Sequence, residues 1–230
     1  MKLLALDTAT ELCSAALWLD GVTFVREDAR PRASSELILG MIEALLGEAG
    51  LTLPQLDAIA FGRGPGAFTG VRLAAAVAQG LGFALKRPLL PISDLRAVAQ
   101  QALSIPDMPE RVLVCQDARL RQVYWGCFEC GSQRIAGADA AEAVSDPGEV
   151  RLPQAWAGRA VCAAGSGFAV YPELGSRGDL PLAAVRSALR PRALEIAVLA
   201  ASDGLRTAVS PADALPVYLR DQVTAPPVGR

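Results

Sequence analysis

The hydrophobic and polar positions of the first 92 residues fall into short runs separated by turn residues. Runs of about four to eight mostly apolar residues are typical of buried strands, and longer stretches with apolar residues three and four positions apart are typical of helices. Gly21 and Gly50 mark a tight turn and a helix end. The pattern predicts strands over residues 3–6, 12–19, 22–26, 56–61 and 89–92, and helices over residues 34–48 and 69–85.

The strand pattern returns about 110 positions further along the chain. A buried strand again ends in aspartate, so that Asp117 falls on Asp7, and a second strand again returns beside it. Two similar lobes explain this repeat, and chance similarity of two strand-turn-strand units is the alternative. The second copy is predicted to contain strands over residues 112–117, 122–129 and 160–164 and a helix over residues 191–202.

Two prolines, Pro106 and Pro109, lie between the two copies. Proline interrupts helices and strands and is common where one unit ends and the next begins. We therefore predict an N-terminal lobe over residues 1–105 and a C-terminal lobe over residues 106–230. The tail over residues 206–230 can pack back on the first lobe.

The composition favours a soluble globular protein without histidine-based chemistry. Apolar residues make up 52% of the 230 positions, enough for a substantial core, and the formal net charge is −2. Proteins that bind nucleic acid broadly carry a concentrated positive surface, so any contact with RNA is predicted to be local or shared. The sequence contains no histidine, which excludes histidine-activated serine or cysteine nucleophiles and histidine metal sites.

Two apolar segments bear on the location of the protein. The N-terminal run is interrupted by Asp7 and shows no cleavage pattern of a secretory signal. The apolar stretch over residues 73–85 is shorter than a bilayer requires. We therefore expect a cytoplasmic protein that does not bind a membrane.

The stretch from Gly62 to Arg72, Gly-Arg-Gly-Pro-Gly-Ala-Phe-Thr-Gly-Val-Arg, is the most specific in the sequence. Glycine accepts positive φ angles and lets another backbone approach, and Thr69 is placed to cap the helix that follows. The lysine that precedes the threonine of a Walker phosphate loop is missing, because Phe68 stands there. The stretch is therefore predicted to bind an anion or to accommodate a close backbone neighbour.

The two predicted helices of the first lobe carry more apolar surface than one sheet covers. Apolar residues of the helix over 34–48 span an arc of about 220°, whereas packing on one sheet takes a stripe of roughly 100°. The helix over 69–85 has only Arg72 and Gln79 as strongly polar residues. These helices are predicted to bind a partner, the alternative being that the second lobe or long loops cover them. The predicted interface residues are Ile38, Met41, Ile42, Leu45, Val71, Ala74, Ala75, Ala78 and Gly82.

Four segments spread over nearly the whole chain share the pattern of one protein family. They are Leu4 to Thr8, Gly62 to Arg72, Asp117-Ala118-Arg119 with Val123-Tyr124-Trp125, and Pro216 to Arg220. Together they make the chain similar to the TsaB (YeaZ) family. The resemblance implies an α/β fold of the actin-like ATPase (ASKHA) type, with two ribonuclease-H-like lobes, each a mixed sheet flanked by helices.

The resemblance also implies a function in the modification of transfer RNA. Members of this family are partner subunits of TsaD, a sister protein that transfers threonylcarbamoyl from its adenylate to N6 of adenosine 37 in tRNA, giving t6A. The chain is then expected to be catalytically silent, to need no cofactor, and to pair with TsaD through the two apolar helices. It is further expected to engage the ATPase TsaE, to form a homodimer when alone, and to meet tRNA only through the complex.

A nucleotide site is a further implication of the resemblance. In actin-like ATPases two hairpins bring small or hydroxyl-bearing residues and an aspartate around the phosphates and Mg²⁺. Arg119 and Arg121 would crowd the second hairpin, so the site is expected to be vestigial, with its aspartates capping turns. The rival interpretation is a Mg-ATP-dependent phosphotransferase or ATPase that uses Asp7 and Asp117. The matching positions are Asp7, Thr8, Thr10, Asp117, Gly165 and Gly167.

A metal site is not expected. Cys127 and Cys130 form a single C-x-x-C without the two further ligands that zinc requires. In TsaD a metal lies between two histidines four residues apart, and these positions fall on Asp94 and Val98, where valine cannot bind a metal. A peptidase, suggested by an older label of the wider family, would need the missing histidine and a paired nucleophile.

Overall fold

The computed structural model describes residues 1–30, 33–137 and 141–220. Within these ranges, ten strands form two five-stranded sheets, in the orders β3-β2-β1-β4-β5 and β10-β9-β6-β7-β8. The first sheet consists of β1 (Lys2–Asp7), β2 (Cys13–Leu19), β3 (Val22–Asp28), β4 (Ala58–Gly62) and β5 (Leu89–Ile92). The second consists of β6 (Arg111–Asp117), β7 (Val123–Glu129), β8 (Glu142–Ser145), β9 (Val161–Ala164) and β10 (Leu182–Arg186).

The two sheets have the same topology. In the first, β1, β4 and β5 run parallel and β2 and β3 are added as an antiparallel meander. In the second, β6, β9 and β10 run parallel and β7 and β8 form the meander. This arrangement confirms the predicted duplication. Of these ten strands, the sequence pattern missed the edge strands β8 and β10, which are short and half-buried or exposed along their length.

In the part of the chain that the structure describes, five helices cover the sheets and separate them. Two of them, α1 (Ser34–Ala49) and α2 (Phe68–Leu85), pack on one face of the first sheet. Between the two sheets lie α3 (Asp94–Leu103) and α5 (Ala193–Asp203). The short α4 (Gly167–Val170) and several 3₁₀ turns cover the outer face of the second sheet. The largest core cluster is thus a layer of two helices held between two sheets.

The two halves of the chain exchange the helices of this central layer. Helix α3, from the first half, packs on β6, β7 and β9, whereas α5, from the second half, packs on β1, β2 and β4. Arg96 of α3 forms a two-pronged ion pair with Asp203 at the end of α5, with N···O distances of 2.5 and 2.9 Å. A boundary at residue 105 therefore separates the strands of the two lobes but not their helices.

Of the two outer helices, α1 ends where the sequence predicts, whereas α2 begins differently from the prediction. Helix α1 stops where Gly50 takes a left-handed conformation with φ of 63°, as predicted. Helix α2 begins one residue before the predicted start, with Ala67 at the N-cap, a residue that has no side chain able to cap the helix. The prediction that Thr69 caps this helix is wrong, because Thr69 already lies inside its first turn.

Helix α2, with 18 residues, is also longer than the apolar stretch over residues 73–85, which is by itself too short to cross a bilayer. Among the described residues it is the one helix whose length and composition would suffice to cross a membrane. Five of its 18 residues are buried against the strands beneath it, namely Val71, Ala74, Ala75, Ala78 and Gly82. One face of α2 therefore belongs to the core, and the opposite face is the exposed apolar surface described below.

Candidate functional site

The glycine loop, residues 62–66, leads from β4 to α2 and packs on the first hairpin of the chain. A Cβ at Gly66 would lie 2.7 Å from the carbonyl oxygen of Ala9. The N–H of Ala67 donates to the same oxygen at 2.8 Å. A Cβ at Gly70 would overlap the carbonyl oxygen of Thr8. Of the two predicted uses of these glycines, close approach of another backbone is the one that the structure shows.

The polar groups of the first hairpin are used within the protein. Asp7 Oδ1 accepts a 2.6 Å hydrogen bond from the N–H of Ala9, and Thr10 Oγ1 accepts one from the N–H of Leu12 at 3.2 Å. The hydroxyl of Thr8 donates to the carbonyl of Gly70 at 2.7 Å. The aspartate therefore caps its own turn, and the two hydroxyls hold the loop and the hairpin in place.

Asp94, at the start of α3, lies beside Asp7, and sequence reasoning did not connect the two. Both side chains are fully buried. Burial, then the charge of Asp7 and a hydrogen bond to it, raises the pKa of Asp94 well above its usual range. Burial also raises the pKa of Asp7, against hydrogen bonds from Asp94 and from the N–H of Ala9. The sequence had singled out Asp94 only by its match to a metal-binding histidine of TsaD, and an aspartate directly after the helix cap Ser93 gave no sign of a pair with Asp7.

The second hairpin is closed by side chains around Asp117. Its Oδ1 accepts hydrogen bonds from the N–H of Arg119 at 2.9 Å and from the hydroxyl of Tyr171 at 3.1 Å. The guanidinium of Arg119 lies 3.2 Å from Oδ2. Arg119, Leu120 and Arg121 follow one another with positive φ angles and are exposed. This turn therefore projects bulky side chains where a phosphate wall would need small ones.

The remaining two positions of the expected nucleotide site pack on β6. A Cβ at Gly165 or Gly167 would lie 2.5 or 2.9 Å from the carbonyl oxygen of Cys115. Gly165 also has a φ of 106°, a conformation that favours glycine. Both glycines are therefore explained by the approach of this turn to the strand, without a ligand.

The predicted interface residues lie mostly inside the chain. Eight of the nine are buried against the first sheet or its loops, and Met41 is half-buried. Ile38 and Ala78, at 1% and 0% exposed, belong to the same core cluster as Leu6 and Phe61. These eight side chains cannot meet a partner directly unless the core opens. The sequence correctly showed that a wide arc of each helix is apolar. The residues predicted to form the interface, however, lie on the buried half of that arc.

The outward face of α2 is mostly apolar and open, and that of α1 carries Glu36, Glu43 and Glu48 among apolar and small residues. Leu39 of α1 and Phe83 of α2 are 59% and 62% exposed. Gly40, Gly47 and Gly80 lie on the same faces, and beyond the adjacent residues and backbone of their own helix no described atom lies within 4 Å of where their Cβ atoms would be. Ala44, Ala76 and Ala84 are also exposed. Large apolar side chains and small residues together make a surface that another helix could approach closely.

The C-terminal segment over residues 208–220 lies across the first lobe and reaches the second hairpin. It brings together two of the segments that carry the family resemblance, Gly62 to Arg72 and Pro216 to Arg220. The guanidinium of Arg72 stacks 3.6 Å from the ring centre of Phe68 in its own segment and donates to the hydroxyl of Tyr218 in the other. Residues 221–230 of the expected tail lie outside the described ranges. The contacts are Gln79 Nε2 to Ala214 O (3.2 Å), Val217 N to Arg63 O (2.7 Å), Arg72 Nε to Tyr218 Oη (2.8 Å) and Arg220 Nη2 to Ala118 O (3.0 Å).

The cysteines are free thiols in apolar surroundings. Burial raises the pKa of Cys127 to about 12 and also raises that of Cys115. Within residues 1–30, 33–137 and 141–220, no three His, Cys, Asp or Glu side chains are placed to hold one metal ion. Cys13, Cys115, Cys127 and Cys162, whose pKa values burial raises, are thus neutral packing groups rather than nucleophiles.

Comparison with known proteins agrees with this geometry. A family model described as TsaD, tRNA N6-adenosine threonylcarbamoyltransferase, matches residues 27–226. The tRNA threonylcarbamoyladenosine biosynthesis protein TsaB of Escherichia coli K12 is 37% identical over 226 residues, which cover 97% of this chain and 96% of that protein. The chain belongs to the TsaB (YeaZ) family.

Solved TsaB-family structures from Pseudomonas aeruginosa have the same fold. YeaZ from this organism is 43% identical and superposes with a TM-score of 0.84 over 95% of this chain and 99% of that one. A second structure, of a protein described as similar to peptidase YeaZ, has the same identity and coverage and a TM-score of 0.86. With the two mixed sheets and their helices, these matches confirm the predicted actin-like fold class.

Proposed function

We propose that this chain is a non-catalytic subunit of the complex that forms threonylcarbamoyladenosine at position 37 of tRNA. It pairs with TsaD, the subunit that transfers the threonylcarbamoyl group, and the two outer helices α1 and α2 form the contact. The same surface pairs two copies of the chain when TsaD is absent. The ATPase TsaE acts on the assembled pair, and tRNA meets the chain only through the complex.

The main support for the proposed pairing is that three glycines on the outer helices have open space beside them. Glycine inside a helix costs about 0.5–1 kcal/mol relative to alanine. At Gly40, Gly47 and Gly80 no other part of the described chain requires glycine, since a Cβ would meet no atom within 4 Å beyond the adjacent residues and backbone of its own helix. A partner helix that comes close to the backbone does require it. The neighbouring Leu39 and Phe83 supply apolar area that such a partner buries.

The non-catalytic role is supported by how the side chains of the expected nucleotide site are used. Asp7, Thr8 and Thr10 bond backbone groups of their own hairpin and of the glycine loop. Asp117 is engaged by Arg119 and Tyr171. Catalysis of phosphoryl transfer needs such groups free to orient a metal ion and phosphates. The chemistry of the complex is therefore assigned to TsaD.

Reconstitution with purified components tests this function. Modified nucleoside is measured in tRNA after incubation with TsaD, TsaE and a supply of threonylcarbamoyl-adenylate, with and without this chain. Modification should depend on the chain. Equal modification in its absence would contradict the proposal.

Replacement of Gly80 by alanine is expected to change stability and pairing in opposite directions. The added Cβ enters open space, so the free energy of unfolding of the isolated chain should rise by about 0.5–1 kcal/mol. The same Cβ stands in the proposed contact and should weaken association with TsaD. Chemical denaturation and calorimetric titration measure the two effects, with Gly175→Ala, another open position, as control. Unchanged affinity would remove Gly80 from the contact.

ATP hydrolysis by the isolated chain is expected to stay at background. Phosphate release is measured with and without Mg²⁺ for the natural chain and for Asp7→Asn, which can keep the hydrogen bond from the N–H of Ala9. A Mg²⁺-dependent rate that this substitution abolishes would support the phosphotransferase instead.

A further inference from the structure

Two buried aspartates, Asp7 at the end of β1 and Asp94 at the start of α3, meet beneath the glycine loop. Each is fully buried and accepts one backbone hydrogen bond, from the N–H of Ala9 to Asp7 Oδ1 and from the N–H of Gly64 to Asp94 Oδ2. Among the described residues, no donor reaches the second oxygen of either carboxyl group, Asp7 Oδ2 or Asp94 Oδ1. A buried carboxylate oxygen without a donor is costly, so this pair needs an explanation.

The two unpartnered oxygens converge on one face of Gly62. A Cβ at Gly62 would lie 3.1 Å from Asp7 Oδ2 and would overlap Asp94 Oδ1. Two ionised carboxylates are strongly disfavoured so close together in a fully buried site, because their charges repel and burial removes them from bulk solvent. A single proton between the two oxygens removes the repulsion and gives both oxygens a partner.

We propose that Asp7 and Asp94 hold one proton between them and act as positioning residues for the glycine loop. A continuous chain of hydrogen bonds then runs from the N–H of Ala9 through both carboxyl groups to the N–H of Gly64. This chain ties the first hairpin to the loop that leads into α2. The inference concerns the fold of the isolated chain and does not depend on the function proposed above.

The pair takes up a proton because burial raises the pKa of both carboxyl groups, Asp94 the more strongly. Burial and the charge of Asp7 raise the pKa of Asp94, whereas the N–H of Gly64 and the charge of Arg63 oppose this rise. Glu195, on α5, adds negative charge on the side of Asp7 and is itself paired with Arg192. The thiol of Cys13 also faces this region and is kept neutral, since burial and the charge of Asp7 are among the causes that raise its pKa.

The shared proton makes stability depend on pH with a defined sign. In the unfolded chain both aspartates ionise near pH 4, whereas the folded chain keeps one proton to a higher pH. The stabilisation is therefore fully present below about pH 4 and declines as the pH rises. The ratio of folded to unfolded chain should fall by up to tenfold per pH unit until the pH passes the folded-state pKa of the pair.

Asparagine substitutions test the proton directly, by chemical denaturation of the full chain from pH 4 to pH 9. In Asp94→Asn the amide can donate to Asp7 and still accept from the N–H of Gly64, so the decline with pH should disappear. Asp7→Asn should flatten the decline in the same way. In the double variant two amide donors face each other, so it should be less stable than either single variant at every pH. Asp146→Asn, at an exposed position, should keep the natural profile.

Infrared spectroscopy supplies a second readout that a purely structural role would not change. The natural chain should show the carbonyl band of a buried protonated carboxyl group, and Asp94→Asn should lack it. The proposal is overturned if the decline persists in both single variants, or if the double variant is as stable as they are. It is also overturned if a chelator shifts the pH profile, because a cation would then lie between the oxygens.

Discussion

Replacement of Ala78 by arginine is expected to unfold the chain. Ala78 lies on the inner face of α2 at 0% exposure, within the core cluster of the first sheet. An arginine there would bury an unpaired charge and overfill the core, at a cost of more than about 4 kcal/mol. That loss is comparable to the whole stability of many domains, about 5–15 kcal/mol. Circular dichroism and thermal melting should show no cooperative transition.

The same substitution two residues earlier serves as the matched control for this loss. Ala76 is exposed on the same helix, so Ala76→Arg should change the free energy of unfolding by no more than about 0.5 kcal/mol. A folded Ala78→Arg variant with an unchanged melting temperature would show that α2 does not pack on the sheet as described.

Ala76→Arg is expected to abolish pairing with TsaD while it leaves the chain folded. The guanidinium projects from the open face of α2, close to Gly80 and Phe83, where the proposed partner helix would desolvate it. Affinity should fall at least 100-fold, since a tenfold loss takes only about 1.4 kcal/mol. Titration calorimetry with TsaD and reconstituted tRNA modification measure the effect.

A second arginine variant separates a lost contact from a general effect of added charge. Ala155→Arg places the same side chain at an exposed position of the second lobe and should bind TsaD with natural affinity. If Ala76→Arg also binds with natural affinity and supports modification, the contact with TsaD lies elsewhere on the chain.

The sequence predicted the duplicated sheets because strand periodicity is local. Apolar runs that end in aspartate or glycine are visible without tertiary contacts, as for β1 and β6. The outward and inward halves of α2 could not be separated in this way. Both halves of this helix are mostly apolar, and which half is buried depends on where the sheet lies, as Ala76 and Ala78 illustrate.

Helix α3 shows why part of the candidate site was also beyond sequence reasoning. All ten of its residues are buried, yet it carries Asp94, Arg96, Gln100 and Gln101, which hide the apolar pattern of a core helix. Those polar groups are compensated by residues far along the chain: Arg96 by Asp203, and Gln100 by a 2.8 Å hydrogen bond from the N–H of Ala136. Local sequence cannot show partners at such separations, and the meeting of Asp7 with Asp94 is one more case.

The exchange of helices between the two halves determines when the protein can fold during its synthesis. An emerging N-terminal half has all five strands of its sheet but lacks α5, so the face formed by Leu3 and Ala5 stays open to water. That face closes only when residues 193–203 have left the ribosome. The two halves therefore complete their folding together. An expressed fragment that stops at residue 105 would expose the apolar face of its sheet and would not form an independent lobe.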